Sequence, residues 1–328
     1  MSDSAGSAAN KVIEFPRPKR PAPKPRAPKT RARRIVAVGG GKGGIGKSLV
    51  SANLGIALAQ RGSSVVMVDA DLGGANLHSC LGVAQPAVSL SDFIDKRVEK
   101  LDEVAVPTGI ERLRLISGAR DVLDAANPRH AEKQKLLRHI RALDVDYVIV
   151  DLGAGTGFNV LDFFLLADTG VVVLLPEPTS IENAYRFIKA AFFRRLQLME
   201  KELGCGELIA AALAGEAGGA RTPFELLAQA REKHPEGVAR LEIAINGFRP
   251  QLVLNQARNR GDHDLGSQVS SAWKKFFGLE LGYLGSVAHD DAAWKAVRAI
   301  KPLLVADPNS AAASGLLRVA ENLLTLPA

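Results

Sequence analysis

RIVAVGGGKGGIGKSLVSANLGIALAQRGSSVVMVDAD, residues 34–71, decides the fold. IVAVGG is a short apolar strand that runs into glycines. SLVSANLGIALAQRG follows with apolar residues at helical spacing and Gly62 as its stop. VVMVDAD is a second buried strand. Strand, glycine loop and helix form the context in which G-x-x-x-x-G-K-[ST] binds phosphate, and Gly41, Gly46, Lys47 and Ser48 satisfy that pattern. Glycines let the backbone wrap a phosphate with its N–H groups inward, and the helix presents its positive end. Gly41, Gly43, Gly44, Ile45, Gly46, Lys47 and Ser48 are therefore the candidate nucleotide-binding loop. Lys47 is expected on the β- and γ-phosphates and Ser48 on Mg²⁺.

Further on, RLRLISG, DYVIVDLG, GVVVLLPEP, LVLNQ and LGYLGSV are short runs rich in β-branched residues, with helical stretches between most of them. Strands alternating with helices predict a doubly wound α/β fold with a mainly parallel sheet covered on both faces. Residues 200–249 break the rhythm and are expected to be a helical insertion, with FELLAQAREK as a short amphipathic helix. Residues 34–328 are thus expected to form one domain.

Composition narrows the class. The chain has 328 residues, of which 47% are hydrophobic, enough for a large core. Cys80 and Cys205 form no CxxC pair, which argues against a zinc site or a disulfide framework and for a reducing cytoplasm. No run of about 18 apolar residues is present, so no transmembrane helix is expected. Residues 1–34 hold ten Lys/Arg and two Asp/Glu, a balance of +8 against +7 for the whole chain. The basicity belongs to the first residues and the body is near neutral. Residues 1–33, rich in Pro, Lys and Arg, are expected to be a disordered arm suited to a polyanion or a protein partner.

Acids cluster at strand ends. Asp69 and Asp71 lie two apart at the carboxyl end of a strand, the edge where open α/β sheets bind ligands, and both can face the nucleotide or instead cap the next helix. Asp151 closes DYVIVD in the Walker B manner, as a carboxylate for Mg²⁺. Asn255 ends LVLNQ, where its amide suits an adenine edge or a turn cap. Trp273 and Trp294 are expected to be packing residues. ASGLLRVAENLLTLPA has an apolar stripe with Arg318 as its one basic residue, so it reads as a helix docked on the core, and membrane contact through it is disfavoured.

Lys42 together with Lys47 gives KGGIGKS, which resembles the deviant Walker A loop of MinD/ParA-class P-loop ATPases, of SIMIBI-type fold. PEPTSIENAYRFIK, the DLGAG turn and the AHDDAAWKAVRAIKPLL stretch resemble the FlhG/FleN branch, over about residues 34–199 and 250–325. The resemblance implies ATP and Mg²⁺ as ligands and a homodimer in the ATP state. It implies that Lys42 reaches the partner's nucleotide, like an arginine finger. It also implies that Asp71 orients water, that Asp69 and Asp151 serve the metal, and that Asn255 reads adenine. Leu152 departs from the Ser or Thr common at that point. The implied function is a slow, partner-stimulated ATPase that positions flagella, a division site, chromosomes or a polar complex, cytoplasmic and at the nucleoid or a pole. DNA-binding partition and iron–sulfur carriage are the alternatives, and the unpaired cysteines count against the second.

Overall fold

The computed structural model describes residues 34–71, 74–118 and 130–327; the basic arm over 1–33 lies outside them. In chain order the elements begin with β1 (Arg34–Gly39), α1 (Lys47–Gln60), β2 (Val65–Asp69), α2 (Leu77–Cys80) and α3 (Leu90–Ile94). There follow β3 (Ala105–Pro107), β4 (Leu113–Ile116), α4 (His130–Arg141), β5 (Tyr147–Asp151), α5 (Phe158–Leu166), β6 (Thr169–Leu174) and α6 (Pro178–Leu198). Next come α7 (Glu200–Leu203), α8 (Gly206–Ala214), α9 (Pro223–Lys233) and α10 (Val238–Asn246). The chain closes with β7 (Gln251–Ala257), α11 (Arg260–Phe277), β8 (Gly282–Ala288), α12 (Asp291–Arg298), α13 (Leu303–Ala306) and α14 (Ala311–Thr325).

The strands form one sheet in the order β3-β4-β2-β5-β1-β6-β7-β8. All neighbours are parallel except β3 and β4. Strand β3 has no counterpart among the runs read from the sequence. It has only three residues, and Pro107 lacks an N–H, which suits an edge position. Its neighbours gain their definition from side chains that alternate between two cores. Ile35 and Ala37 join one, Val36 and Val38 the other, and Val66 and Val68 oppose Val65 and Met67 in the same way.

One core lies under α3–α11, the other under α1, α2 and α12–α14. Helices α7–α10 occupy the stretch read as an insertion. They bury Leu208, Ile209, Leu226, Leu241 and Ile245 in the first core, so they are packed against α6 and its neighbours. Helix α14 docks through Leu316, Val319, Ala320 and Leu323, while Leu324 of the expected stripe is exposed. Trp273 is buried among aromatic rings, as packing required. Trp294 is not a packing residue: it is 60% exposed, with the Arg298 guanidinium over its ring. Among the described residues, no helix is long and apolar enough to cross a membrane.

Candidate active site

The central order β2-β5-β1-β6 brings the carboxyl ends of four parallel strands together. Strand order reverses beside β1, so a crevice opens there. The glycine loop leaves β1 at this edge and turns into α1. Gly46, the residue before α1, has φ 88°, a left-handed conformation that favours glycine. A Cβ there would also lie 2.3 Å from Asn255 Nδ2, and one on Gly41 would lie 2.2 Å from the backbone oxygen of Asn183 in α6. Thus the loop is held on both flanks. The first turn of α1 contains no acid, which leaves its positive end to an anion.

Lys47 is buried, and its Nζ donates to the Lys42 carbonyl at 3.1 Å. Burial lowers its pKa, and the nearby Asp151 and Asp71 carboxylates oppose that shift. Lys42 itself is exposed, as are Gly43 and Gly44, so its side chain is not packed into its own subunit's crevice.

Asp69 and Asp151 stand side by side in the register of β2 and β5. Burial pushes Asp151 up to about 6, against the stabilising hydrogen bonds it receives from Ser48 and Ser51 and the nearby Lys47 charge. The Ser51 hydroxyl donates to Asp151 Oδ1 at 2.7 Å. Burial, followed by the Asp151 charge, pushes Asp69 up to about 7. Its two oxygens accept backbone N–H groups from Asp71 at 3.1 Å and Leu77 at 3.0 Å. Asp69 therefore organises the loop between β2 and α2. The Asp71 carboxylate lies against Gly153, where a Cβ would come within 3.1 Å of Oδ1.

Asn255 touches the phosphate loop. Its Nδ2 donates to the Ile45 carbonyl at 2.8 Å, and its Oδ1 accepts the Gln256 N–H at 3.0 Å. The amide thus braces the phosphate loop and keeps one N–H and one lone pair for a further partner. Gln256, with φ 59°, faces a groove of about 250 Å³ between the ends of β6 and β7. Pro176, Arg258 and Asn259 also line it.

The structure thus brings Lys47, Ser48, Asp69, Asp71 and Asp151 together and leaves Lys42 at the rim. Among the described residues, no three His, Cys, Asp or Glu side chains converge as a metal cage. A hydroxyl on a buried carboxylate, beside an anion-binding loop, nevertheless fits Mg²⁺. That ion keeps waters and takes one or two carboxylates plus substrate phosphates. Sequence reading missed Ser51, whose signal was its position three residues after Ser48 on one helix face. It also missed Gly153 and Asn183, which act by close approach. A larger cavity, about 570 Å³, lies at the opposite sheet edge. Its charged groups are engaged in other bonds: Arg34 donates to Thr169 and to the carbonyls of Leu323, Leu326 and Pro327, and Glu280 pairs with Lys274 and Arg249.

Comparison with known proteins agrees with this fold. A family model described as ParA, "NUBPL iron-transfer P-loop NTPase", matches residues 31–199. The antiactivator FleN of Pseudomonas aeruginosa is 28% identical over 90% of this chain and 87% of its own. The flagellum site-determining protein YlxH of Helicobacter pylori is 34% identical over 48% of this chain, a match spanning only 53% of YlxH. Among solved structures, the septum site-determining protein MinD of Pyrococcus horikoshii, complexed with Mg-ADP, superposes with a TM-score of 0.62. It is 19% identical, over 89% of this chain and 96% of that one, a likeness of fold. With the family model matching half the chain and a P-loop carrying both lysines, this protein belongs to the MinD/ParA family of P-loop ATPases.

Proposed function

We propose that the chain is an ATP-driven dimerisation switch that helps to position a cellular structure, with flagella the favoured cargo. The observation that carries it is the division of labour between two lysines five residues apart. Lys47 is buried in its own site, while Lys42 is exposed at the rim of a charged crevice. A cation in that place is available to a second copy's phosphates, where it would stabilise charge as an arginine finger does. The relatives named for flagellar site determination and for antiactivation support the choice of cargo.

In this reading the loop N–H groups and Lys47 hold the β- and γ-phosphates. Ser48 and Asp151 would hold magnesium, which supplies neutralisation of phosphate charge when bound. Asp71 orients the attacking water, and hydrolysis yields ADP and phosphate and releases the dimer. Asp69 acts through the backbone that it pins. The base lies in the groove beside Pro176 and Gln256, with Asn255 steadying the loop beneath. Turnover is slow until a protein partner completes the dimer surface; the solved MinC:MinD complex of Aquifex aeolicus is a precedent for a partner. Iron–sulfur carriage is favoured by the family model's description, but Cys80 and Cys205 are single free thiols, one of them buried, and so offer no thiolate pair for a cluster.

The test is Lys47→Ala. Loss of the buried cation should abolish hydrolysis and weaken nucleotide binding, measured by phosphate release and by titration with a fluorescent ATP analogue. Unchanged turnover would remove the site assignment.

A further inference from the structure

Helices α6 and α11 leave an apolar groove of about 260 Å³ on the surface, lined by Ile181, Tyr185, Val269, Ala272, Trp273 and Phe276. Phe276 is 71% exposed and adds its ring to this apolar patch. Trp273 is buried in the groove wall, yet its indole N–H has no acceptor among the described residues. A buried donor left unpaired is costly, so this wall of the groove lacks an acceptor that an occupant's backbone could supply.

We propose that the occupant is the chain's own amino-terminal segment Val12–Phe15. Within residues 1–33 the large apolar side chains are Met1, Val12, Ile13 and Phe15, and three of the four are gathered in KVIEF. Apolar volume and groove match: a cavity of about 150 Å³ holds benzene, so this groove takes the Phe15 ring with room for an aliphatic neighbour. Charge matches as well. Glu14 lies inside the segment, and Lys275 holds its ammonium 5.2 Å from the Phe276 ring with no ion pair among the described residues. Residues 16–33, 18 in number, can span at most roughly 60 Å, enough to carry Phe15 from Arg34 across a body of this size. Such a tether raises the local concentration of the segment to about the millimolar range, which lets a small groove capture it without high intrinsic affinity.

The groove is also joined to the nucleotide loop. Ile181 and Tyr185 line it, and between them on the same turn of α6 the Asn183 carbonyl abuts Gly41. A segment seated there leans on the element that closes one flank of the phosphate loop.

The test places a photo-cross-linking benzoyl-phenylalanine at position 15 of the full chain. Irradiation should link residue 15 to α6 or α11 within one molecule, with a yield independent of protein concentration. Ala272→Glu, an exposed change that puts charge into the groove, should abolish the link. A link only between chains, with yield rising with concentration, would assign the groove to a second copy and overturn the proposal. Links confined to other elements, or none to α6 and α11, would also overturn it and leave the groove to another protein.

Discussion

Ser51 is the residue whose change isolates Asp151, the carboxylate proposed for magnesium, from the rest of the site. Its hydroxyl donates to Asp151 Oδ1 at 2.7 Å, and both groups are fully buried. A hydrogen bond to a charged group is worth roughly 1.5–3 kcal/mol. Ser51→Ala should therefore raise the cost of keeping Asp151 ionised and weaken Mg²⁺-dependent nucleotide affinity about tenfold, since a factor of ten corresponds to about 1.4 kcal/mol. Nucleotide binding without Mg²⁺ should change little. Titration of a fluorescent ATP analogue with and without Mg²⁺ is the check, and an equal loss in both would mean that Ser51 supports the loop and not the metal side. The contrast with Asp69 follows from partners. Asp151 receives hydroxyl groups from α1, whereas Asp69 receives backbone N–H groups from its own loop.

At the scale of elements, one buried ion cluster ties three helices together. Asp162 of α5 is paired with Lys133 of α4 and with Arg194 of α6, the Arg194 Nε lying 2.8 Å from Oδ1. Removing one partner of a buried pair leaves the others uncompensated, at a cost of roughly 3–5 kcal/mol. Asp162→Ala should thus lower stability by about that amount in denaturant melts, with the fold retained. The Arg194 and Lys133 hydrogen bonds hold the Asp162 carboxyl below the usual range despite its burial. Its folded value lies under the unfolded one of about 3.9, so the stabilisation is present above roughly pH 4. It is lost as pH falls through the folded value. The variant should accordingly melt with a shallower acid dependence than the parent below about pH 4; parallel curves would mean that the pair is not linked to folding. Elements also differed in how plainly they could be read. The seven strand runs and the glycine loop were legible because burial on two faces demands unbroken β-branched stretches. Strand β3 was not, since three residues at an edge carry no period. Helices α7–α10 showed as a helical stretch, but their burial against α6 depends on contacts far apart in sequence.

Across the whole molecule, charge is segregated between the first 34 residues at +8 and a body of −1. The arm should give steeply salt-dependent contact with DNA, because phosphate contacts release counterions. Full-length protein should bind duplex DNA at low salt more tightly than a chain starting near Arg34, and equal affinities would take the arm out of any DNA contact. Site chemistry was legible to the extent that motif spacing encodes it: Lys42, Lys47, Ser48 and Asp151 stand at one sheet edge as expected. The Asn255 contact with Ile45 was not legible, because an amide at a strand end can turn towards a base or back under the loop, and Ile45 lies 210 residues away.

Dimerisation by ATP is the central claim, and Asp71→Ala tests it most directly, because the proposal gives the carboxylate beside Gly153 the attacking water and leaves the phosphates to Lys47. Light scattering after size exclusion should find this variant at twice the monomer mass with Mg-ATP and at monomer mass with Mg-ADP. Adding Lys42→Ala should return it to monomer while nucleotide stays bound. An Asp71→Ala protein that binds Mg-ATP and remains monomeric would contradict the account.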